Sequence, residues 1–150
     1  VADINGQLCA SAAPNKFATF FYAVYDDAKM TLSYVNAGHN PPLVYHSDGE
    51  ELQTLSRTGL PLGIDEAQEY GQEMLRLHSG DLVLLYTDGV IDAMGAEDRL
   101  FGLEPVKRLL RDCRQGSAEA MVAALVGALD THMGSRTPAD DITIAVVKKL

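Results

Sequence analysis

The sequence predicts an α+β protein with layered antiparallel sheets and helices outside them. Three features predict it. Short stretches rich in aromatic and β-branched residues recur through the first ninety residues, separated by turn residues. Two amphipathic helical patterns follow, between residues 103 and 132. A last apolar stretch, DITIAVVKK, closes the chain. Strands first, then helices, is the order of an α+β fold.

Residues 1–10 are read as closing a helix. FATFFYAVYD (17–26) is a strand, and Asp26-Asp27-Ala28-Lys29 turns it back into MTLSYVNAG (30–38). There Leu32, Tyr34 and Asn36 share one face, and Thr31, Ser33 and Val35 the other. Asn40-Pro41-Pro42 forces an extended break before PLVYHS (42–47). Ser47-Asp48-Gly49-Glu50 turns into ELQTL (51–55). Residues 56–70 are a loop punctuated by Gly59, Pro61 and Gly63; EYGQEMLRL (69–77) and DLVLLYTDG (81–89) are strands joined through Ser79-Gly80-Asp81. A polar, acidic stretch leads to Arg99. LEPVKRLLRDC (103–113) is a helix with Pro105 in its first turn. A second helix, 118–132, is capped by Ser117, carries Met121, Leu125 and Leu129 on one stripe and ends at Gly134.

With 150 residues the chain is long enough for one domain with a real core. A net charge of −9 argues against nucleic acid and anionic membrane as partners. No apolar run approaches the roughly 20 residues of a bilayer span, and no signal peptide is visible. The first residue is Val1, so the chain is expected to be a piece of something longer. Cys9 and Cys113 have no metal or redox spacing and read as free thiols in a reducing cytoplasm, Cys113 in the core.

Two acidic sites stand out. Asp88 ends one apolar strand, and Asp140-Asp141 begins another. Side by side and antiparallel, those strands would bring the carboxylates to one sheet edge. Clustered carboxylates repel unless a cation or proton intervenes, and hard oxygen donors select Mg²⁺, Mn²⁺ or Ca²⁺. Asp-Gly is also a common turn pair, and Asp-Asp also suits a solvated loop end. In AGHNPP (37–42), Gly38 and the two prolines hold His39 and Asn40 on a rigid turn. That placement suits a substrate-facing or bracing role, or simply an Asn that satisfies backbone groups within the turn. His46, His78 and His132 sit in unrelated contexts and none reads as a ligand. No P-loop, dinucleotide fingerprint, nucleophile elbow or His-Glu-x-x-His occurs.

Together, FATFFYAVYD, LSYVNAGHNPPLVY, GLPLGI, GDLVLLYTDGVIDA, FG and ADDITIAVVK resemble the C-terminal part of bacterial phosphatases of the stage II sporulation protein E type, in the metal-dependent type 2C family. Order and spacing match over residues 17–149. The resemblance implies a β-sandwich flanked by helices, in four α/β/β/α layers, here one partial domain over 1–150 that lacks its N-terminal strands. It implies two Mn²⁺ or Mg²⁺ ions and hydrolysis of phosphoserine or phosphothreonine by metal-activated water, with no covalent phosphoenzyme. By motif, Asp88 and Asp140 match metal ligands, Asp141 a supporting position, and Gly89 a close approach beneath the site, while His39 and Asn40 are expected to support it from the rigid turn. The implied partners are a phosphorylated regulatory protein of the anti-anti-sigma type and a fused sensor or receiver domain, in the cytoplasm.

Two further acidic motifs of the family, Gly-Gly-Asp-x-x-Asp and Gly-Asp-x-x-Gly-x-Gly, are absent from residues 1–150. The chain alone is therefore expected to bind metal weakly and to be a poor phosphatase. It is also expected to expose strand edges that a homodimer would cover. The competing reading is a pseudophosphatase that binds its partner and catalyses nothing.

Overall fold

A computed structural model describes residues 1–13, 15–49 and 52–150, and of Glu97 the backbone only. Glu50 of the expected turn and Glu51 of the expected strand lie outside the described residues. The fold is α+β, with two antiparallel sheets and helices. Its contacts group into two compact units, Val1–Pro41 with Leu55–Leu77, and Pro42–Thr54 with His78–Leu150.

The first unit holds helix α1 (Ala2–Ser11) and strands β1 (Phe20–Asp26), β2 (Thr31–Ala37) and β5 (Glu73–Arg76), in sheet order β1-β2-β5. The β1–β2 hairpin turns where expected. Asp26 Oδ1 accepts from the Lys29 N–H at 3.1 Å, and Met30 takes the left-handed conformation that closes the turn. Tyr34 and Asn36 are buried on the face assigned to them. Strand β1 starts at Phe20 rather than at residue 17, because Ala18 pairs instead with Leu62 in an isolated bridge. Asn5 is buried within α1 and ties it to the loop after Leu62. Its Nδ2 donates to the Asp65 carbonyl (2.9 Å), and its Oδ1 accepts from the Gly63 N–H (2.9 Å).

The second unit holds β3 (Leu43–Tyr45), β4 (Leu52–Thr54), β6 (Leu82–Tyr86) and β7 (Ile144–Lys148), in order β4-β3-β6-β7. Helices α2 (Asp88–Ile91), α3 (Leu103–Asp112) and α4 (Ala118–Met133) belong to it, with a 3₁₀ turn at Ala96–Asp98. Met121, Leu125 and Leu129 of α4 and Val106 and Leu110 of α3 close over Leu43, Leu82 and Leu84 of the sheet. Each such buried side chain contributes roughly 1.5–3 kcal/mol relative to exposure. The helix ends follow their residues. Ser117 Oγ accepts from the Ala120 N–H (3.2 Å), and Gly134 takes positive φ at the C-terminus of α4. Both cysteines are free and half-buried, and Cys113 packs against the core.

Two expectations change here. The segment after Thr87 turns directly into α2 rather than running on as strand and polar coil. His46 and His78 are not in unrelated contexts, for both meet the buried Asp81. His46 Nδ1 lies 3.1 Å from Asp81 Oδ2, and the N–H groups of Ser47 (2.8 Å) and His78 (2.9 Å) donate to the same carboxylate. Among the described residues, no helix is long and apolar enough to cross a membrane.

Candidate metal centre

Strands β6 and β7 run antiparallel, with Tyr86 opposite Ile144. The C-terminal end of β6 thus meets the start of β7, which puts Asp88 and Asp140-Asp141 at one end of the sheet. Thr87 fastens the junction. Its N–H donates to the Thr143 carbonyl (3.1 Å), its Oγ1 donates to the Asp141 carbonyl (2.8 Å), and the same oxygen accepts from the Thr143 N–H (2.9 Å). These bonds hold residues 141–143 in a non-strand path, so β7 begins at Ile144 rather than at residue 141.

Gly89 is set by close approach. A Cβ there would stand 2.4 Å from the Asp141 carbonyl oxygen and 3.3 Å from that of Asp140. No side chain fits without moving the backbone that carries both carboxylates. Gly89→Ala is therefore expected to destabilise the protein by about 1–3 kcal/mol. Gly127→Ala in α4, where a Cβ meets nothing within 4 Å, is expected to stabilise by about 0.5–1 kcal/mol. Urea unfolding of the two variants checks both signs.

All three carboxylates are exposed to solvent. Asp88 Oδ1 accepts from the Gly89 N–H (3.1 Å) and Asp140 Oδ1 from the Asp141 N–H (2.7 Å), which fixes the orientation of each group. The donor chemistry suits a hard divalent cation. The donor number falls short: among the described residues, no group of three or more His, Cys, Asp or Glu side chains is placed to hold an ion. The residues present thus fit part of a metal site, not a whole one.

His39 and Asn40 belong to the first unit, and Asp88, Gly89, Asp140 and Asp141 to the second. In the AGHNPP turn, Gly38 has φ +74° and a Cβ there would lie 2.4 Å from Pro61 Cγ. His39 Nδ1 is 3.3 Å from Thr19 Oγ1. Sequence reasoning passed over Thr87. A Thr before Asp-Gly reads as the end of a strand, and its partners lie 54 and 56 residues away, beyond any local pattern.

The family model of stage II sporulation protein E (SpoIIE) matches residues 1–149. The chain belongs to this family. It is similar to the phosphoserine phosphatase RsbU of Bacillus subtilis, with 29% identity over 133 residues that make up 89% of this chain and 39% of RsbU. The SiaA-PP2C domain of Pseudomonas aeruginosa superposes with a TM-score of 0.71 at 27% identity, over 82% of this chain and 48% of that one. The PP2C phosphatase domain of Bacillus subtilis SpoIIE, solved with a fragment of its regulatory domain, gives 0.77 at 19% identity, over 96% and 41%. The chain thus spans less than half the length of each.

Proposed function

We propose that these 150 residues are one partial domain of a metal-dependent protein phosphatase acting on phosphoserine or phosphothreonine. The observation that supports it most is the β6–β7 junction, where Asp88 and Asp140 sit at one sheet end over a glycine that keeps the backbones in contact. Asp88 and Asp140 would hold Mn²⁺ or Mg²⁺, with Asp141 supporting them. Bound there, the ions would neutralise phosphoryl oxygens and raise the acidity of water. The chain's own part is positional: Thr87 and Gly89 hold the two acidic segments against each other, and the local N–H bonds orient the carboxylates. His39 and Asn40 are assigned a bracing role in the AGHNPP turn.

The relatives support the proposed substrate class. RsbU is a phosphoserine phosphatase, and a regulatory phosphoprotein of the anti-anti-sigma type is the proposed substrate here. A fused sensor or receiver domain is proposed for the parent protein, and the cytoplasm for its location. Strand β1 is an edge of its sheet, with Tyr22 51% and Val24 50% exposed. A second copy is the proposed cover for that edge, and a sharp monomer peak in light scattering contradicts it.

The ligand shortfall carries its own expected result. This chain alone binds Mn²⁺ weakly, with a dissociation constant on the order of millimolar, since two carboxylates compete poorly with water for such an ion. Isothermal titration reads it. The test of function is phosphate release from a phosphoserine peptide by the full-length protein, with Mn²⁺ added and then removed by EDTA. Reversible loss supports the phosphatase. Peptide binding without release at any Mn²⁺ concentration favours the pseudophosphatase.

A further inference from the structure

The geometry points to a second surface on the unit that carries the candidate metal centre, a cleft that takes an acidic, leucine-bearing segment of a partner protein. The cleft has a volume of about 660 Å³ and lies between the loop carrying the 3₁₀ turn and helices α3 and α4. Arg99, Arg108 and His132 line it around Leu100, Leu109 and Ala128, and among the described residues its lining includes no Asp or Glu. The chain has 21 acidic against 12 basic side chains, so a basic cleft runs against its overall composition. Arg99 and Arg108 are exposed, and neither forms an ion pair among the described residues. Two nearby carboxylates are engaged elsewhere: Asp98 with Arg136 (2.8 Å) and Glu104 with Lys107 (2.8 Å).

The wall is built in advance. His132 Nε2 lies 2.9 Å from the Arg99 carbonyl, placed to donate to it, and the Phe101 ring meets the His132 ring edge-on at 5.3 Å. A Cβ on Gly95 would lie 2.5 Å from His132 Nε2, so the loop lies flat against α4. A preformed wall loses little conformational entropy when occupied. Leu100, 53% exposed, offers apolar contact beside the two guanidiniums.

Guanidinium groups pair with carboxylates through parallel N–H bonds, and an apolar side chain between two acids would cover Leu100 and Leu109. A long polyanion meets the repulsion of the whole −9 chain, whereas a short acidic segment meets the cleft alone. The same loop is tied to the helix that begins at Asp88 by the Gly102 N–H, which donates to the Ile91 carbonyl (2.8 Å), and closes on the residues just after that helix through the Phe101 N–H and the Ala93 carbonyl (2.9 Å). A segment docked here is therefore held on a loop continuous with the candidate metal centre. That the partner is the phosphoprotein substrate rests on the phosphatase reading; the cleft itself does not.

The test is fluorescence anisotropy with a fluorescein-labelled nonapeptide of Glu, Asp, Leu and Gly, beside the same peptide with Lys at every acidic position. The acidic peptide is expected to bind saturably and the lysine peptide not to bind. The Arg99→Glu/Arg108→Glu double variant and Leu100→Asp each weaken binding by about tenfold or more. Arg111→Glu, on α3 but outside the cleft, leaves it unchanged. Absent saturable binding, equal affinity for both peptides, an unaffected double variant, or full displacement by equimolar inorganic phosphate would each overturn the proposal. Asp88→Asn separates the two claims: it removes turnover if the phosphatase reading holds, and leaves peptide anisotropy intact whether or not it does.

Discussion

Asp88→Asn and Asp140→Asn, each in the full-length protein, are expected to lower Mn²⁺-dependent phosphoserine hydrolysis by about 10³-fold or more. A metal ion supplies several kcal/mol of charge stabilisation to such a reaction, and about 4 kcal/mol corresponds to about 10³-fold in rate. The amide keeps the shape and the local hydrogen bonds of each Asp but removes the charge proposed to hold the cation. Asp141→Asn is expected to cost no more than about tenfold, in line with its supporting position. Its backbone carbonyl, which accepts from Thr87, survives the change. Steady-state rates over a Mn²⁺ titration check all three. Equal losses at Asp88 and Asp141 would contradict this division of roles.

The largest stability loss is expected at Asp81, at the opposite end of β6. Its carboxylate is buried and accepts from two backbone N–H groups while facing His46. An amide at this place turns a donor toward donors, which costs about 3 kcal/mol. Urea unfolding of Asp81→Asn reads it as a lower midpoint at unchanged slope. The pH dependence has two limbs. Burial pushes the Asp81 carboxyl up, but the N–H donors of His78 and Ser47 and the His46 ring outweigh it and hold the group below its usual range. Its contribution is present above the unfolded value, near 3.9, and is lost as pH falls through the lower folded one. Burial pushes His46 down, yet its bonds to Gln53 and Asp81 win and raise it. That contribution is complete below the unfolded value, near 6.5, and fades as pH rises through the higher folded one. Wild type is expected to lose stability above about pH 6.5 more steeply than Asp81→Asn, whose His46 lacks its anion.

Much of this architecture was legible in the residues. Aromatic and β-branched runs marked the strands, because a half-buried pleated surface favours them. Ser117 and Gly134 marked the ends of α4, because their chemistry suits helix termini. What was hidden depends on contacts distant in sequence. Asn5 looks like an ordinary helix residue until the loop 58 residues later supplies a donor for its oxygen. Helix α2 follows β6 after the single extended residue Thr87, and the apolar Val90 and Ile91 that resume after Asp88-Gly89 do not by themselves distinguish a helical turn from more strand. Asp81 reads as a turn former, and only the fold gathers His46 and His78 around it. The acidic pair was legible because apolar strands flank it, but the close contact of its backbones shows only once β6 and β7 pair.

The most direct test of the metal centre uses this chain itself, in which weak binding is no obstacle. Substoichiometric Mn²⁺ is added to the ¹⁵N-labelled protein, and the loss of amide signals is followed by NMR. Paramagnetic broadening should appear first at Asp88, Gly89, Asp140 and Asp141, leave Asp81 sharp, and vanish from that set in Asp88→Asn. Broadening that begins at another acidic segment, or persists unchanged in the variant, would contradict a metal centre at the β6–β7 junction.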